Sequence, residues 1–389
     1  MTPFKKCTCA ALITGLSYGS SFVAADTFAE VLKKSTVTGD FRLRYEDVEA
    51  GAVNSDGLTL RSRLGFKTNP YRGFTALIEI EDVRDVFGVD DESNLIPDPE
   101  VTEIDQAFIQ YKDGNYTVKL GRQVLTLDGH RFLGHVGWRQ DRQTFDALRV
   151  QLSPMKDLSI DIAYIDQRNR IFGEDLDAES SDILFNASYK TALGKLVGYA
   201  YLLDDDTRDE QSDTVGVSLS GATDSDIKFM YAVEYASQSI EDSGIDFDTE
   251  YMMLEVGAIV SGMTFKIGQE VLGSDDGLAS FTTPLATLHK FNGWNDIFLG
   301  GTFNPAAMPD GLEDLYFVAS GKLLGTKLTL VYHDFSADED STDYGDELGV
   351  SLTKAYKSGV SVGIKYSTYD ADNYGVDTDK LWISTAYKF

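Results

Sequence analysis

Cysteine is almost missing from this chain. Of its 389 residues only Cys7 and Cys9 carry a thiol, and both fall in an N-terminal leader. Once that leader is removed, disulfides and thiolate chemistry are excluded. Positive charge is scarce as well: 34 Lys and Arg stand against 63 Asp and Glu, for a formal charge of −29. General nucleic-acid binding needs a basic footprint and is excluded by that balance. Beyond the leader no apolar run approaches the roughly 20 residues of a membrane helix. Neither helical periodicity nor helix caps recur after residue 34. No Gly-x-Ser-x-Gly, phosphate-binding loop or His-Glu-x-x-His motif occurs, so no enzyme and no cofactor are expected.

The leader itself has the parts of an export signal. Lys5 and Lys6 precede a short apolar stretch, Ala10 to Val23, and Val23-Ala24-Ala25 is a small-residue cleavage site. The expected organisation is a signal peptide at 1–25, a short periplasmic segment at 26–34 and one domain at 35–389. Thr27–Lys33 is long enough for about two helical turns. Neither cysteine follows the apolar triplet that a lipid anchor needs.

Alternation of period two dominates the remainder of the chain. Phe41, Leu43 and Tyr45 alternate with Arg42, Arg44 and Glu46; Leu58, Leu60 and Leu64 with Thr59, Arg61 and Arg63; Ile78 and Ile80 with Glu79 and Glu81. Each run has one greasy and one polar face, the pattern of a strand. Further runs lie near 102–112, 115–124, 143–153, 157–167, 181–191, 195–204, 213–221, 225–237, 249–261, 263–272, 312–321, 325–335, 345–355, 359–370 and 378–389, making eighteen. Their lengths suit tilted strands of about 9–11 residues that cross a bilayer. The connections between them alternate short and long. Asp113-Gly114 and Pro154-Met155-Lys156 are short; Ala50–Asp56, Asp85–Val101, Thr126–Arg142, Asp205–Gln211, Ser239–Phe247 and Gly273–Gly311 are long. The last strand ends in Tyr387 and Phe389 on one face. Outer-membrane barrels show such ends to their assembly machinery. These features predict an all-β transmembrane antiparallel up-and-down β-barrel of about 18 strands in a Gram-negative outer membrane. Short turns face the periplasm and long loops face outward. Most long loops are acidic, as in Asp90-Asp91-Glu92 and Asp338-Glu339-Asp340. This is the pattern of solvated loops, with divalent-cation bridging to lipopolysaccharide as the functional alternative.

Strand parity selects the lumen candidates. Arg42, Arg44, Arg61 and Arg63 form a basic cluster, Glu79, Glu81, Glu103 and Asp105 an acidic one, and Lys119, Arg122 and Arg149 a second basic one. An arginine facing lipid at the midplane costs about 2–4 kcal/mol, so these side chains should point inward. Opposed charges across a narrow lumen would select solutes by charge. The plainer alternative is bracing of the wall. The stretch 126–142 stands apart because it is basic and aromatic. Its His130, Arg131, His135, Trp138 and Arg139 could form a constriction, with Gly129, Gly134 and Gly137 permitting tight turns, and Arg142 closes the same stretch. The alternative is a loop packed on the inner wall. His130 and His135, five residues apart and without further clear ligands, do not make a metal site. The connection 273–311 is long for a loop without function and could cap the barrel.

Several segments carry a family resemblance: FAEVLKKSTVTGDFRLRYEDVE, LRSRLGFKTNPYRGFTALIEIEDV, DPEVTEIDQAFIQY, KLGRQVLTLDGHRFLG with WRQDRQTFDALRV, LATLHKFNGW and LTLVYHDFSAD. In them the chain resembles the alginate-export-like outer-membrane porins, most specifically in Gly-Arg-Gln and Phe-Asp-Ala-Leu-Arg. The resemblance implies an eighteen-stranded barrel, passive passage of solutes and lumenal roles for Arg44, Arg61, Arg63, Arg122, Arg131, Arg142 and Arg149. The expected function is therefore a channel for small hydrophilic solutes, anionic or saccharide in character. A polyuronate exporter, an adhesin or structural anchor, and an outer-membrane lipid hydrolase are the alternatives. Expected partners are outer-membrane lipids, lipopolysaccharide, the barrel-assembly machinery at Phe389 and the solutes themselves.

Overall fold

A computed structural model describes residues 28–389, apart from 90–94, 226 and 243. The expected signal peptide at 1–25 and the acidic run Asp90-Asp91-Glu92 lie outside the described residues. The first element is a short helix, α1 (Phe28–Lys33). Among the described residues no helix is long and apolar enough to cross a membrane. Eighteen strands carry the fold. They are β1 (Thr36–Ala50), β2 (Val53–Lys67), β3 (Phe74–Phe87), β4 (Val101–Asp113), β5 (Tyr116–Gln123), β6 (Thr144–Met155), β7 (Leu158–Asn169), β8 (Ala178–Thr191) and β9 (Gly194–Asp205). The second half comprises β10 (Glu210–Ala222), β11 (Lys228–Asp242), β12 (Ile245–Val260), β13 (Met263–Leu272), β14 (Leu312–Leu323), β15 (Thr326–Ser336), β16 (Asp343–Ala355), β17 (Val360–Ala371) and β18 (Thr378–Lys388).

Every strand pairs antiparallel with its sequence neighbours, and β18 pairs with β1, so the sheet closes on itself. Closure removes every free edge, which a bilayer demands because lipid cannot hydrogen-bond a bare backbone. The seam is Tyr387 opposite Phe41 and Lys388 opposite Asp40. Gly39 and Phe389 exchange backbone hydrogen bonds of 3.1 and 3.0 Å. The Phe389 ring lies where a Cβ on Gly39 would sit. Alternation sends Leu64, Ile80, Ile109, Leu120, Leu254 and Ile364 outward to lipid, all exposed.

The strands run longer on the outer side than alternation alone indicates. Three connections expected to be long are tight turns instead. Ala50 pairs with Val53 across Gly51-Ala52, Asp205 with Glu210, and Asp242 with Ile245. Gly51 and Gly244 supply the positive φ, 59° and 80°, that such tight turns require. In the Asp205 turn, the Asp205 carboxylate accepts from the N–H groups of Thr207 and Arg208, and polar side chains continue the ladder above the membrane. The connections that stay long are 88–100, 124–143, 170–177, 273–311, 337–342 and 372–377. Of these, 124–143 (loop A) and 273–311 (loop B) fold back inside the barrel. Loop B carries a short ladder, Ser274–Asp275 with Ala279–Ser280, and a second helix, α2 (Leu299–Phe303).

The two loops give the lumen a hydrophobic core. Leu125 and Leu133 of loop A join Phe281, Leu285, Phe298 and Met308 of loop B against Phe145, Ile165, Tyr251, Leu272, Phe335 and Tyr369 of the wall. Each such side chain contributes about 1.5–3 kcal/mol when fully buried.

Candidate functional site

Arginines of the wall hold loop A by its backbone. Arg42 donates to the carbonyls of Gly137 (3.2 Å) and Arg139 and to Oε1 of Gln140 (2.8 Å). Arg44 donates to the Trp138 carbonyl (2.6 Å) and to Asp98. Arg63 donates to the Gln140 carbonyl (3.1 Å) and to Glu81. Arg42 and Arg61 are direct cross-strand partners, a like-charge pair that would repel in a bare wall. Here Arg61 turns to Asp40 (2.7 Å), and the oxygens of loop A serve Arg42. Arg44, Arg61 and Arg63 are buried under the loop.

The same loop carries its own arginines to carboxylates. Arg142 pairs with Asp105 and with Glu79 (2.5 Å). Arg139 pairs with Glu46 (3.1 Å) and Asp296 (3.4 Å), and Arg131 with Glu270 (2.7 Å). Burial opposes the Arg139 charge, but Glu46, Asp98 and Asp296 hold it above the ordinary guanidinium range. Buried pairs of this kind define position more than they add stability, while removal of one partner costs about 3–5 kcal/mol.

Loops A and B are also joined to each other. Gly134 N–H donates to the Leu285 carbonyl (2.8 Å) and Thr287 N–H to the His130 carbonyl (3.0 Å). A Cβ on Gly134 would collide with Thr287 Oγ1, so glycine is needed there for close approach. The positive φ values that bend loop A belong to Asp128, His130 and Val136, at 47°, 68° and 46°, rather than to its glycines. For Val136, a β-branched residue, that is a strained conformation held by the surrounding bonds. Together the loops form one septum across the lumen.

The far side of the septum is pinned by all three tryptophans. Lys365 of β17 lies 3.7, 4.3 and 5.2 Å from the ring centroids of Trp294, Trp138 and Trp382. Its Nζ donates to His289 Nε2 (2.6 Å), and His289 Nδ1–H reaches Asp296 (3.0 Å). Burial pushes His289 down to about 3 despite the pull of Asp296, so the ring is neutral with its proton on Nδ1. Burial also opposes ionisation of Asp296, yet His289, Lys380 and Arg139 hold its carboxyl well below the usual carboxylate range. Trp138 stacks on His289 with centroids 4.2 Å apart. Glu347 of β16 accepts from the backbone N–H groups of Trp294 and Asn295.

One sequence-derived position faces the opposite way from that expected. Arg122 points outward. It is opposite Asp146 and binds that carboxylate at 2.9 Å on the lipid-side face that also carries Leu120 and Leu148. Lys119 and Arg122 are three residues apart, so alternation can turn only one of them inward. Lys119 is the inward one, 4.4 Å from the Phe108 ring centroid. The basic and acidic clusters are neighbours on one wall, where Arg63 pairs with Glu81 and Arg142 with Glu79 and Asp105. Arg149 closes on Asp161 at 2.5 Å. His130 and His135 meet edge to face at 5.5 Å, and no group of three metal-ligating side chains occurs among the described residues.

Open space lies on the opposite side of the lumen. A cleft of about 630 Å³ runs between the two loops and the inner face of β9 and β11–β16. Phe132, Tyr251, Glu234, Lys266, Lys290 and Lys327 are among its lining residues. Sequence reasoning missed this half of the barrel because its charges are of both signs and spread over β11–β15 rather than gathered into a cluster of one sign. The inward parity of Glu234, Lys266 and Lys327 was available as a signal.

Comparison with known proteins fits this architecture. A family model described as alginate export matches residues 35–266. LATLHKFNGW and LTLVYHDFSAD lie beyond that match. No curated relative matches the chain. Among solved structures, OccK9 (OpdG) of Pseudomonas aeruginosa superposes with a TM-score of 0.73 at 14% identity, covering 92% of this chain and 99% of that one. OpdK of the same organism, solved with vanillate, gives 0.71 at 12% identity, with 92% and 99% covered. OccAB1 of Acinetobacter baumannii gives 0.69 at 12%, with 92% and 97% covered.

Proposed function

From the premise that the chain belongs to the alginate export family, we propose that it is an outer-membrane porin through which small hydrophilic solutes diffuse passively, sieved by the septum of loops A and B. The observation that carries this reading is the charged cleft of about 630 Å³ beneath that septum, inside a closed barrel. Water-filled space bounded by charged side chains and a constricting loop is how such barrels choose solutes. Passage costs no cofactor and no bond chemistry.

In this reading Arg42, Arg44, Arg61, Arg63, Arg131, Arg139 and Arg142, with Glu79, Glu81 and Asp105, brace the septum and fix the aperture. Selection falls to the opposite wall. Trp138 and His130 hold the loop in place. The chain reaches the outer membrane by a cleaved signal at 1–25 and presents Phe389 to the assembly machinery. Its acidic outer loops meet lipopolysaccharide. A polyuronate exporter needs a path for a chain of sugar rings, and an anchored septum narrows that path.

A second reading, a structural anchor or adhesin, draws on the apolar core that the loops build in the lumen. Recording from the full-length protein in a planar bilayer separates the two. Discrete conductance steps are expected of a porin. A membrane that stays silent, with correctly folded protein inserted, would leave only the anchor.

A further inference from the structure

The cleft under the septum contains titratable groups that its own wall leaves without an ion-pair partner among the described residues. Most of its titratable groups are paired. Glu270 is met by Arg131 at 2.7 Å, Asp314 by His333 at 2.8 Å, Glu255 by Lys266 at 2.8 Å and Asp128 by Lys195 at 2.6 Å. Three groups are left over. Glu234, inward on β11, accepts a hydrogen bond from the Tyr199 hydroxyl (2.8 Å) and has no ion-pair partner among the described residues. Lys290, on loop B, donates to the Gly129 carbonyl (2.7 Å) and lies 5.3 Å from the Phe291 ring centroid, again without a carboxylate partner among the described residues. Lys327, inward on β15 beside a short turn, forms no ion pair among those residues either. All three line the one cleft, together with the rings of Phe132, Tyr251 and Phe291.

A carboxylate and an ammonium in a partly dry cavity lose solvation unless another group serves them. An anionic solute would serve Lys290 and meet repulsion from Glu234. A cationic solute would meet the reverse. A solute carrying both charges serves both residues at once, and its carbon skeleton can lie on the aromatic rings. Small-molecule sites commonly combine an apolar lining with a few placed polar groups in this way.

We propose that the cleft is a binding subsite for small zwitterionic solutes bearing an amine and a carboxylate, with the amine at Glu234 and the carboxylate at Lys290. Lys327 extends the carboxylate track toward the short-turn mouth. The proposal rests on the channel reading. It adds a chemical class to the solute, and it places selection on residues outside the arginine-rich wall.

The test uses the full-length protein in planar bilayers and in liposomes. 4-Aminobutyrate added at millimolar concentration should reduce single-channel current several-fold more than butyrate or butylammonium, each of which carries one of the two charges. In swelling assays 4-aminobutyrate should enter liposomes several-fold faster than erythritol, a neutral solute of similar size. Glu234→Gln and Lys290→Gln should each bring the ratio of 4-aminobutyrate entry to erythritol entry close to one. A wild-type ratio near one, or sensitivity to Lys290→Gln alone, would overturn the zwitterion assignment while the channel stands. Should neither solute enter and no current appear, the channel reading fails and the subsite falls with it. Because the butyrate and butylammonium comparison is made on the unaltered protein, it decides the matter even if a variant misfolds.

Discussion

Asp141 is the residue whose chemistry sits least comfortably in the fold. It lies in loop A, fully buried, and neither carboxylate oxygen has a hydrogen-bond partner. Burial pushes its pKa up to about 7, with Arg63 pulling the other way and Asp105 adding like charge. A carboxyl whose folded pKa is raised favours the fold below its unfolded value near 4, and that contribution is lost as pH rises toward and through 7. Asp141→Asn should therefore stabilise the fold at pH 8, by an amount on the order of 4 kcal/mol at about 1.4 kcal/mol per pKa unit. At pH 3 it should change nothing. Thermal unfolding in detergent at the two pH values checks both halves, and an equal effect at both would refute the cause given. At this scale the sequence is partly legible. Alternation marks Arg42, Arg44, Arg61 and Arg63 as inward. It says nothing of the backbone oxygens they bind, because carbonyls leave no trace in residue identity. Arg122 shows the converse, since its outward position follows from parity with Lys119 alone.

At the scale of elements, loops A and B act as one body. Their shared backbone bonds tie them to each other, and the ion pairs of Arg131, Arg139 and Arg142 tie loop A to the wall and to loop B. Gly134→Val is expected to part the loops, because its side chain would occupy the place of Thr287. The barrel should still form, since Gly134 touches no strand pairing. Conductance should rise several-fold, and loop A should become open to protease in the folded protein. Unchanged current with the loop still protected would show that the contact is dispensable. Loop A is conspicuous in the sequence for its basic and aromatic content. Loop B shows only its length, and its partnership with loop A is invisible because most bonds between them have a main-chain atom on at least one side. The three tight outer turns escape a sequence reading for a related reason. Polar residues such as Asp205 and Glu210 read as loop, yet above the membrane both faces of a strand can be wet.

For the whole molecule, alternation and terminal pattern sufficed to reach eighteen strands, because lipid on one side and water on the other force period two on every crossing. Seam closure depends on Gly39, which makes room for the Phe389 ring. Gly39→Val should lower the yield of folded, heat-modifiable barrel by several-fold without altering the conductance of the molecules that do fold; full yield would argue that the ring simply swings aside. The reach of the septum has a further consequence, for the order of events during biogenesis. Arg42 finds its Gln140 partner 98 residues further along the chain, and Arg131 waits for Glu270 across 139. A half-made barrel can thus grip loop A on one flank only, leaving Arg131 without its counter-charge until β13 and loop B arrive. The septum is then set at the end of assembly, when the chain is long enough to supply both of its shores, and an unfinished barrel would announce itself by an open throat.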